Sequence, residues 1–205
     1  TWDNDGPIAV NRLTEYLLKV VREAKEHTSW TTPDDAYERS VLDFAREALT
    51  VDVVVEAFEG WRRRSADGVR AAILGTALVQ LTLPGVPDVY QGTEVPTTSL
   101  VDPDNRRPVD MAALAASLDR VDAEGPRTLT DEKLLITSRA LRTRREHASA
   151  FTGLLAGYQP LPCSSGNAIA FARADDGAAR TVTVATRLAL SLERLGGWGE
   201  HTVVL

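Results

Sequence analysis

Thiol and imidazole groups are scarce in this sequence of 205 residues. It contains one cysteine, Cys163, and three histidines that lie far apart along the chain. A single thiol excludes a disulfide within the chain, and the histidines do not have the spacing of metal ligands. We therefore expect no bound metal, and a reducing cytoplasm as the natural setting.

Long apolar runs are also missing. The longest one, residues 71–83, is interrupted by glycine, threonine and glutamine and is too short to cross a bilayer. Twenty-three basic residues against twenty-nine acidic residues give a net charge of −6, and the short arginine runs contain no aromatic residues. We therefore expect neither a membrane nor a nucleic acid as a partner.

Several enzyme signatures are absent as well. The sequence has no Gly-x-Ser-x-Gly elbow, no phosphate-binding loop and no dinucleotide-binding fingerprint in a strand–helix context. We expect no cofactor.

The chain starts at Thr1 rather than at a methionine and stops within an apolar run, which indicates a fragment of a longer protein.

The pattern that is present predicts an α+β fold, mainly helical, with a small antiparallel β unit at the end. Apolar residues at helical spacing predict six helices: 10–24, 33–49, 52–64, 69–83, 111–122 and one that starts at Thr130. Thr32 is the predicted cap of the second helix and Asp110 that of the fifth. In the first helix, Arg12, Lys19 and Arg22 fall on the polar face. A turn at Asp175-Asp176-Gly177 separates two β-favouring runs, 167–173 and 180–186, and a further run covers 202–205.

The most informative segment runs from Leu81 to Asp110. Pro84 and Gly85 end the preceding helix, residues 86–90 can form a short buried strand, and Gly92 permits a sharp turn. Side chains that can hydrogen-bond polyhydroxyl ligands follow at once. These candidate substrate-binding residues are Gln91, Glu94, Asp102, Asp104, Arg106 and Arg107.

Three segments carry a family resemblance. Leu-Pro-Gly-Val-Pro-x-x-Tyr-x-Gly-x-Glu at residues 83–94 resembles the eighth barrel strand of the α-amylase superfamily of glycoside hydrolases. Ser-Leu-Val-Asp-Pro-Asp-Asn-Arg-Arg-Pro-Val-Asp at 99–110 and the segment 23–37, with His27-Thr28-Ser29-Trp30, resemble the maltooligosyl trehalose synthase family. The resemblance covers nearly the whole chain, weakens after about Tyr158, and corresponds to the rear part of the family's full length.

The resemblance implies a domain organisation. Residues 1–65 would form a helical subdomain, 66–152 the C-terminal part of the (β/α)8 catalytic barrel, and 153–205 the start of a β-sandwich. Family members convert the reducing-end α-1,4 bond of maltooligosaccharides into an α,α-1,1 bond, and the maltooligosaccharide would be the partner. The family's catalytic carboxylates come from strands four, five and seven, and its His-Asp-Thr-Lys-Arg segment does not occur here. We expect this chain to hold no catalytic residue and the isolated fragment to be inactive.

Each candidate residue also has a structural interpretation. Glu94 could pair with Arg106 or Arg107 and only shape the loop, and Asp104-Asn105 could simply form an Asx turn. Trp30 suits stacking on a pyranose ring, with His27 beside it, but Trp30 could equally close a core between helices and His27 could cap a helix end. For the whole chain, the alternative function is a non-catalytic carbohydrate-binding or structural module. An exposed barrel face also predicts self-association.

Overall fold

The computed structural model describes residues 6–204 and divides into two compact units. The first unit runs up to Arg64 and includes Thr98–Pro108, whereas the second comprises Ser65–Thr97 and the chain from Val109 onward. The helices are α1 Val10–Ala24, α2 Asp35–Ala48, α3 Asp52–Thr82, α4 Met111–Glu124, α5 Leu129–Glu146, α6 Ala148–Phe151 and α7 Ala189–Arg194. The strands are β1 Ala156–Pro160, β2 Ala168–Asp175 and β3 Ala178–Thr186. No helix within residues 6–204 is long and apolar enough to span a membrane.

The mainly helical fold with a small antiparallel sheet is as predicted, and the hairpin is confirmed. β2 pairs with β3 around a two-residue turn, in which Asp176 and Gly177 have φ of 48° and 77°. Positive φ at both positions is the geometry of a type I′ turn, which Asp-Gly favours. β1, which the sequence did not predict, pairs antiparallel with the other side of β2, so the order is β1-β2-β3.

Two helix predictions need correction at their starts. The cap of α2 is Asp34 rather than Thr32, because the Asp34 carboxylate accepts hydrogen bonds from the backbone N–H groups of Ala36 and Tyr37, both at 3.0 Å. α5 begins behind Thr128, two residues before the predicted start, and the Thr128 hydroxyl accepts from the N–H of Asp131 at 3.2 Å. The cap of α4 is Asp110, as predicted.

The predicted helices 52–64 and 69–83 are one continuous helix, α3, of 31 residues. No proline separates them, and one glycine costs a helix only about 1 kcal/mol. Gly68 also has a packing role in the second unit, because a Cβ there would lie 2.9 Å from the side chain of Leu190. Gly68 therefore permits a close contact with Leu190.

The predicted strand at residues 86–90 is wrong for this structure. This stretch has no regular secondary structure, and across residues 6–204 no strand pairs with it. A barrel strand needs hydrogen-bonded neighbours on both sides. At the other predicted strand, residues 202–205, only Val203 forms a bridge, with Cys163, and Leu205 lies outside the described residues.

The sheet supplies the core of the second unit. Ala170 to Ala174 of β2 are all buried, and Phe171 is completely enclosed. On one face, Ala170 and Ala172 pack with Leu161. Side chains on both faces of β2 are therefore buried, and β2 is the central strand with which β1 and β3 pair.

Candidate functional site

The first unit presents a row of basic residues on α1. Arg12, Lys19 and Arg22 follow at intervals of seven and three residues and so share one helix face. The sequence predicted this face to be polar, and the structure shows what it binds. All three side chains are partly buried. Arg12 and Lys19 contact the segment 99–110, and Arg22 contacts Trp30 of the segment 23–37. α1 is therefore the element that positions both segments.

Arg12 anchors the segment 98–107 through Asp104. Its Nε and Nη2 donate to the two Asp104 carboxylate oxygens at 3.1 and 2.9 Å, and both side chains are only 17% exposed. The Leu100 N–H donates to the same carboxylate at 2.7 Å, which closes the turn before the 3₁₀ helix Asp104–Arg106. The hydrogen bond from Arg12 is the main reason that the pKa of Asp104 is lowered to about 2. Asp104 is thus engaged inside the protein.

Asp102 and Arg106 form the exposed pair of this segment. The Arg106 guanidinium donates to both Asp102 oxygens, at 3.0 and 2.6 Å, and the side chains of Arg106 and Asp102 are 69% and 40% exposed, respectively. The same interaction lowers the pKa of Asp102. Lys19 Nζ donates to the Asp102 carbonyl oxygen at 3.0 Å, and Arg107 Nε donates to that of Asp104 at 3.1 Å. An anchored backbone therefore carries charged groups that solvent can reach.

Arg22 anchors the second segment, His27 to Trp30, through Glu38 of α2. Its Nε and Nη2 donate to the Glu38 oxygens at 2.8 and 2.7 Å, and the buried Thr28 hydroxyl donates to the same carboxylate at 2.6 Å. The Asp34 N–H donates to that hydroxyl at 2.9 Å. Thr28 is therefore fully used in holding the turn.

Trp30 lies on the surface beside this network. It is 56% exposed, so the interpretation that it closes a core between helices is wrong. The Arg22 guanidinium carbon lies 5.0 Å from the centroid of the indole, close enough for a cation–π interaction. The His27 ring packs against Tyr37, with centroids 4.9 Å apart. The segment predicted to contact a sugar thus presents the exposed indole of Trp30 and, three residues earlier, the imidazole of His27.

We expect the first unit to lose stability in acid. Hydrogen bonds, first from Arg22 and then from Thr28, lower the pKa of Glu38 from its ordinary 4.5 to about 2. A lowered pKa contributes stability that is fully present above the unfolded-state value and is lost as pH falls toward the folded-state value. The urea midpoint of unfolding, followed by circular dichroism, should therefore decrease as the pH falls from 4.5 to about 2. The midpoint of Glu38→Gln should decrease less over the same range. Asp43→Asn is the control for the loss of a negative charge, because Asp43 forms an exposed ion pair with Arg46 on the same helix. An equal decrease in wild type and Glu38→Gln would contradict the assignment.

The second unit contains the other two candidates, Gln91 and Glu94. They lie in a turn in which the Thr93 N–H donates to the Tyr90 carbonyl at 2.9 Å and Gly92 has a φ of 85°. Gln91 is exposed. Glu94 is half-buried, and its Oε2 is a buried oxygen with no hydrogen-bond partner among the described residues. A buried carboxylate oxygen without a donor is costly unless a ligand or further chain supplies one.

Sequence reasoning missed the residues that hold these candidates. Arg12 and Lys19 were recognised only as members of a polar face, although basic residues at positions i and i+7 of one helix could have suggested a common partner. Lys133 and Thr137, whose side chains contact the backbone carbonyl groups of Val95 and Glu94, were not identified at all. Within the described part of the chain no group of three or more histidine, cysteine, aspartate or glutamate side chains could hold a metal ion.

Comparisons with known proteins give a consistent result. The chain is 34% identical over 209 residues to a putative maltooligosyl trehalose synthase of Mycobacterium tuberculosis, a match that covers 99% of the chain and 25% of the relative. The structure of maltooligosyltrehalose synthase from Arthrobacter ramosus superimposes with a TM-score of 0.85 at 39% identity, covering 97% of this chain and 26% of that one. The DSM5389 glycosyltrehalose synthase matches with a TM-score of 0.67 at 30% identity over 82% of this chain and 23% of that one. No protein-family model matches. The chain spans about a quarter of the length of the relatives it matches.

Proposed function

We propose that this chain, a relative of the maltooligosyl trehalose synthases along about a quarter of their length, is the C-terminal part of an intramolecular transglycosylase that forms maltooligosyl trehalose. The observation that carries the proposal is the match in sequence and fold over 97% to 99% of the chain. In such an enzyme residues 66–152 would form the C-terminal part of the (β/α)8 barrel, whose remaining strands would lie elsewhere in the synthase. Cytoplasmic location and self-association stay predictions.

The chemistry would follow the retaining pattern of glycoside hydrolases. A carboxylate nucleophile attacks C1 of the penultimate glucose, the bond from C1 to O4 breaks, and a carboxylic acid protonates O4 of the released glucose. The anomeric hydroxyl of that same glucose then attacks C1, giving its proton to the resulting carboxylate and releasing the nucleophile. Water that attacks instead yields free glucose. The outcome therefore depends on retaining the glucose and excluding water.

We assign the retention of glucose to the candidate residues of this chain, while the reacting carboxylates would lie elsewhere in the synthase. Asp102 and Arg106 offer exposed oxygens and N–H groups on a backbone that Arg12 and Lys19 hold, which suits hydrogen bonding to sugar hydroxyls. Asp104 would act by holding this segment, and Arg107 by supporting it. Trp30 would stack on a pyranose ring with His27 at its side. For Gln91 and Glu94, which belong to the second unit, we propose hydrogen bonding to sugar hydroxyls as well.

Arg106→Ala in the full-length synthase tests this assignment. We expect the ratio of free glucose to trehalosyl product to rise about tenfold, because a hydrogen bond to a charged group contributes about 1.5–3 kcal/mol. The measurement is chromatographic quantification of both products from maltopentaose. Arg46→Ala, which removes an arginine from an exposed pair with Asp43 in the same unit, should leave the ratio unchanged. An unchanged ratio in Arg106→Ala would contradict the retention role.

A further inference from the structure

One face of α5 carries three polar side chains that bind backbone carbonyl groups. Lys133, Thr137, Ala140 and Arg144 follow at intervals of four, three and four residues, which places them on a single stripe of the helix. Thr137 and Ala140 are buried. The polar members of this stripe contact one stretch of chain, residues 81–95, at two separate places, and all of these residues belong to the second unit.

Arg144 binds the start of that stretch. Its Nη1 donates to the carbonyl oxygens of Leu81 and Leu83 at 3.2 and 3.1 Å, and its Nη2 donates to that of Gly85. The first two acceptors are at the end of α3, where helix carbonyls lack partners within the helix. The guanidinium carbon also lies 4.6 Å from the centroid of the Phe151 ring, which limits its movement. Arg144 thus fixes the point at which the chain leaves α3.

Lys133 and Thr137 bind the other end. Lys133 Nζ donates to the Val95 carbonyl oxygen at 3.1 Å, and Thr137 Oγ1 lies 3.5 Å from that of Glu94. Lys133 is close enough to the Glu94 carboxylate for an attractive charge interaction, and burial lowers the pKa of Lys133. A partly buried ammonium that donates to a carbonyl favours one geometry, because a displaced chain would remove that acceptor.

We infer that α5 holds both ends of the stretch from Gly85 to Val95, and that Arg144 and Lys133 are positioning residues for Gln91 and Glu94. Lys133 and Arg144 are eleven positions apart, which is about 16 Å along the helix axis. A rigid helix that grips both ends sets the distance between them and so the placement of the turn 91–94. This inference rests on the proposed function, because Gln91 and Glu94 were assigned there to the sugar site.

The test uses Arg144→Met and Lys133→Met in the full-length synthase. We expect each to raise the ratio of free glucose to trehalosyl product from maltopentaose by about tenfold, because small displacements of positioned groups have large kinetic effects. The ratio is a property of each active molecule, so a loss of folded protein lowers both products and leaves it unchanged. Lys133→Arg keeps a donor and should retain the wild-type ratio. Arg142→Met removes an arginine on the same helix that pairs with Asp122, and should also retain it.

The outcomes separate the inference from the function on which it rests. A wild-type protein that forms no trehalosyl product would contradict the proposed function. If the wild type forms trehalosyl product and both Lys133→Met and Arg144→Met have the wild-type ratio of free glucose to trehalosyl product, the inference is overturned. The proposed function is then unaffected. Should Arg144→Met fail to fold, Lys133→Met and the milder Thr137→Val decide by the same ratio.

Discussion

Replacing Phe171 by alanine is expected to destabilise the second unit by about 3–5 kcal/mol, the usual cost of removing a buried aromatic ring. Phe171 is 0% exposed at the centre of β2, and its ring lies 5.2 Å from that of Tyr158. The variant would leave a cavity under a strand that is covered on both faces, and the neighbouring strands cannot close it without losing their register. The free energy of unfolding from urea titration, followed by circular dichroism, measures the effect.

Ile169→Ala is the matched control for this variant. Ile169 lies two residues earlier on the same face of β2 but is 42% exposed, so its truncation removes less buried surface. We expect a clearly smaller loss of stability. Equal losses in the two variants would show that Phe171 is not the centre of the core.

Gly92→Ala is expected to reduce kcat/KM of the full-length synthase by about 100-fold, the largest kinetic effect that we predict. Gly92 has a φ of 85°, and a Cβ there would lie 2.9 Å from Cγ2 of Val109. Alanine would therefore carry a backbone penalty of about 1–2 kcal/mol and would push the turn that holds Gln91 and Glu94. Initial rates of trehalosyl product formation from maltopentaose measure the effect.

Two further variants separate strain from contact. Gly125 has nearly the same φ, 84°, and a Cβ there would meet nothing within 4 Å. Gly125→Ala therefore carries a backbone penalty outside the turn 91–94. We expect its kcat/KM to stay near the wild-type value. Val109→Ala combined with Gly92→Ala removes the contact and should recover part of the activity. If Gly92→Ala alone had wild-type kinetics, the turn would not contribute to the site.

Local chemistry explains which elements could be predicted. The Asp110 cap, the helical spacing of α1 and the Asp-Gly turn act within a few residues of the chain, and each is confirmed. The strand predicted at 86–90 failed because pairing depends on distant segments, and apolar residues alone do not supply a neighbour. β1 was missed for the converse reason. It contains Gly157 and Pro160, which are poor strand formers, and it is ordered by its pairing with β2.

The candidate site shows the same division. The sequence identified polar residues at 102–107, but their partners lie far away, as with Arg12 and Asp104, which are 92 positions apart. No pattern of residue types distinguishes an aspartate bound inside the protein from one exposed on the same loop. Backbone carbonyl acceptors, such as those of Gly85 and Val95, leave no signal at all, so the role of α5 could be recognised only from coordinates.

The contact between Arg22 and Trp30 restricts how a ligand can approach. Because the guanidinium covers one side of the indole, a pyranose that stacked on Trp30 as proposed would have to approach the opposite side. The same arginine is tied to Glu38, so the covered side is also the one that the protein keeps in place. In the proposed role, stacking at this tryptophan would therefore be one-sided.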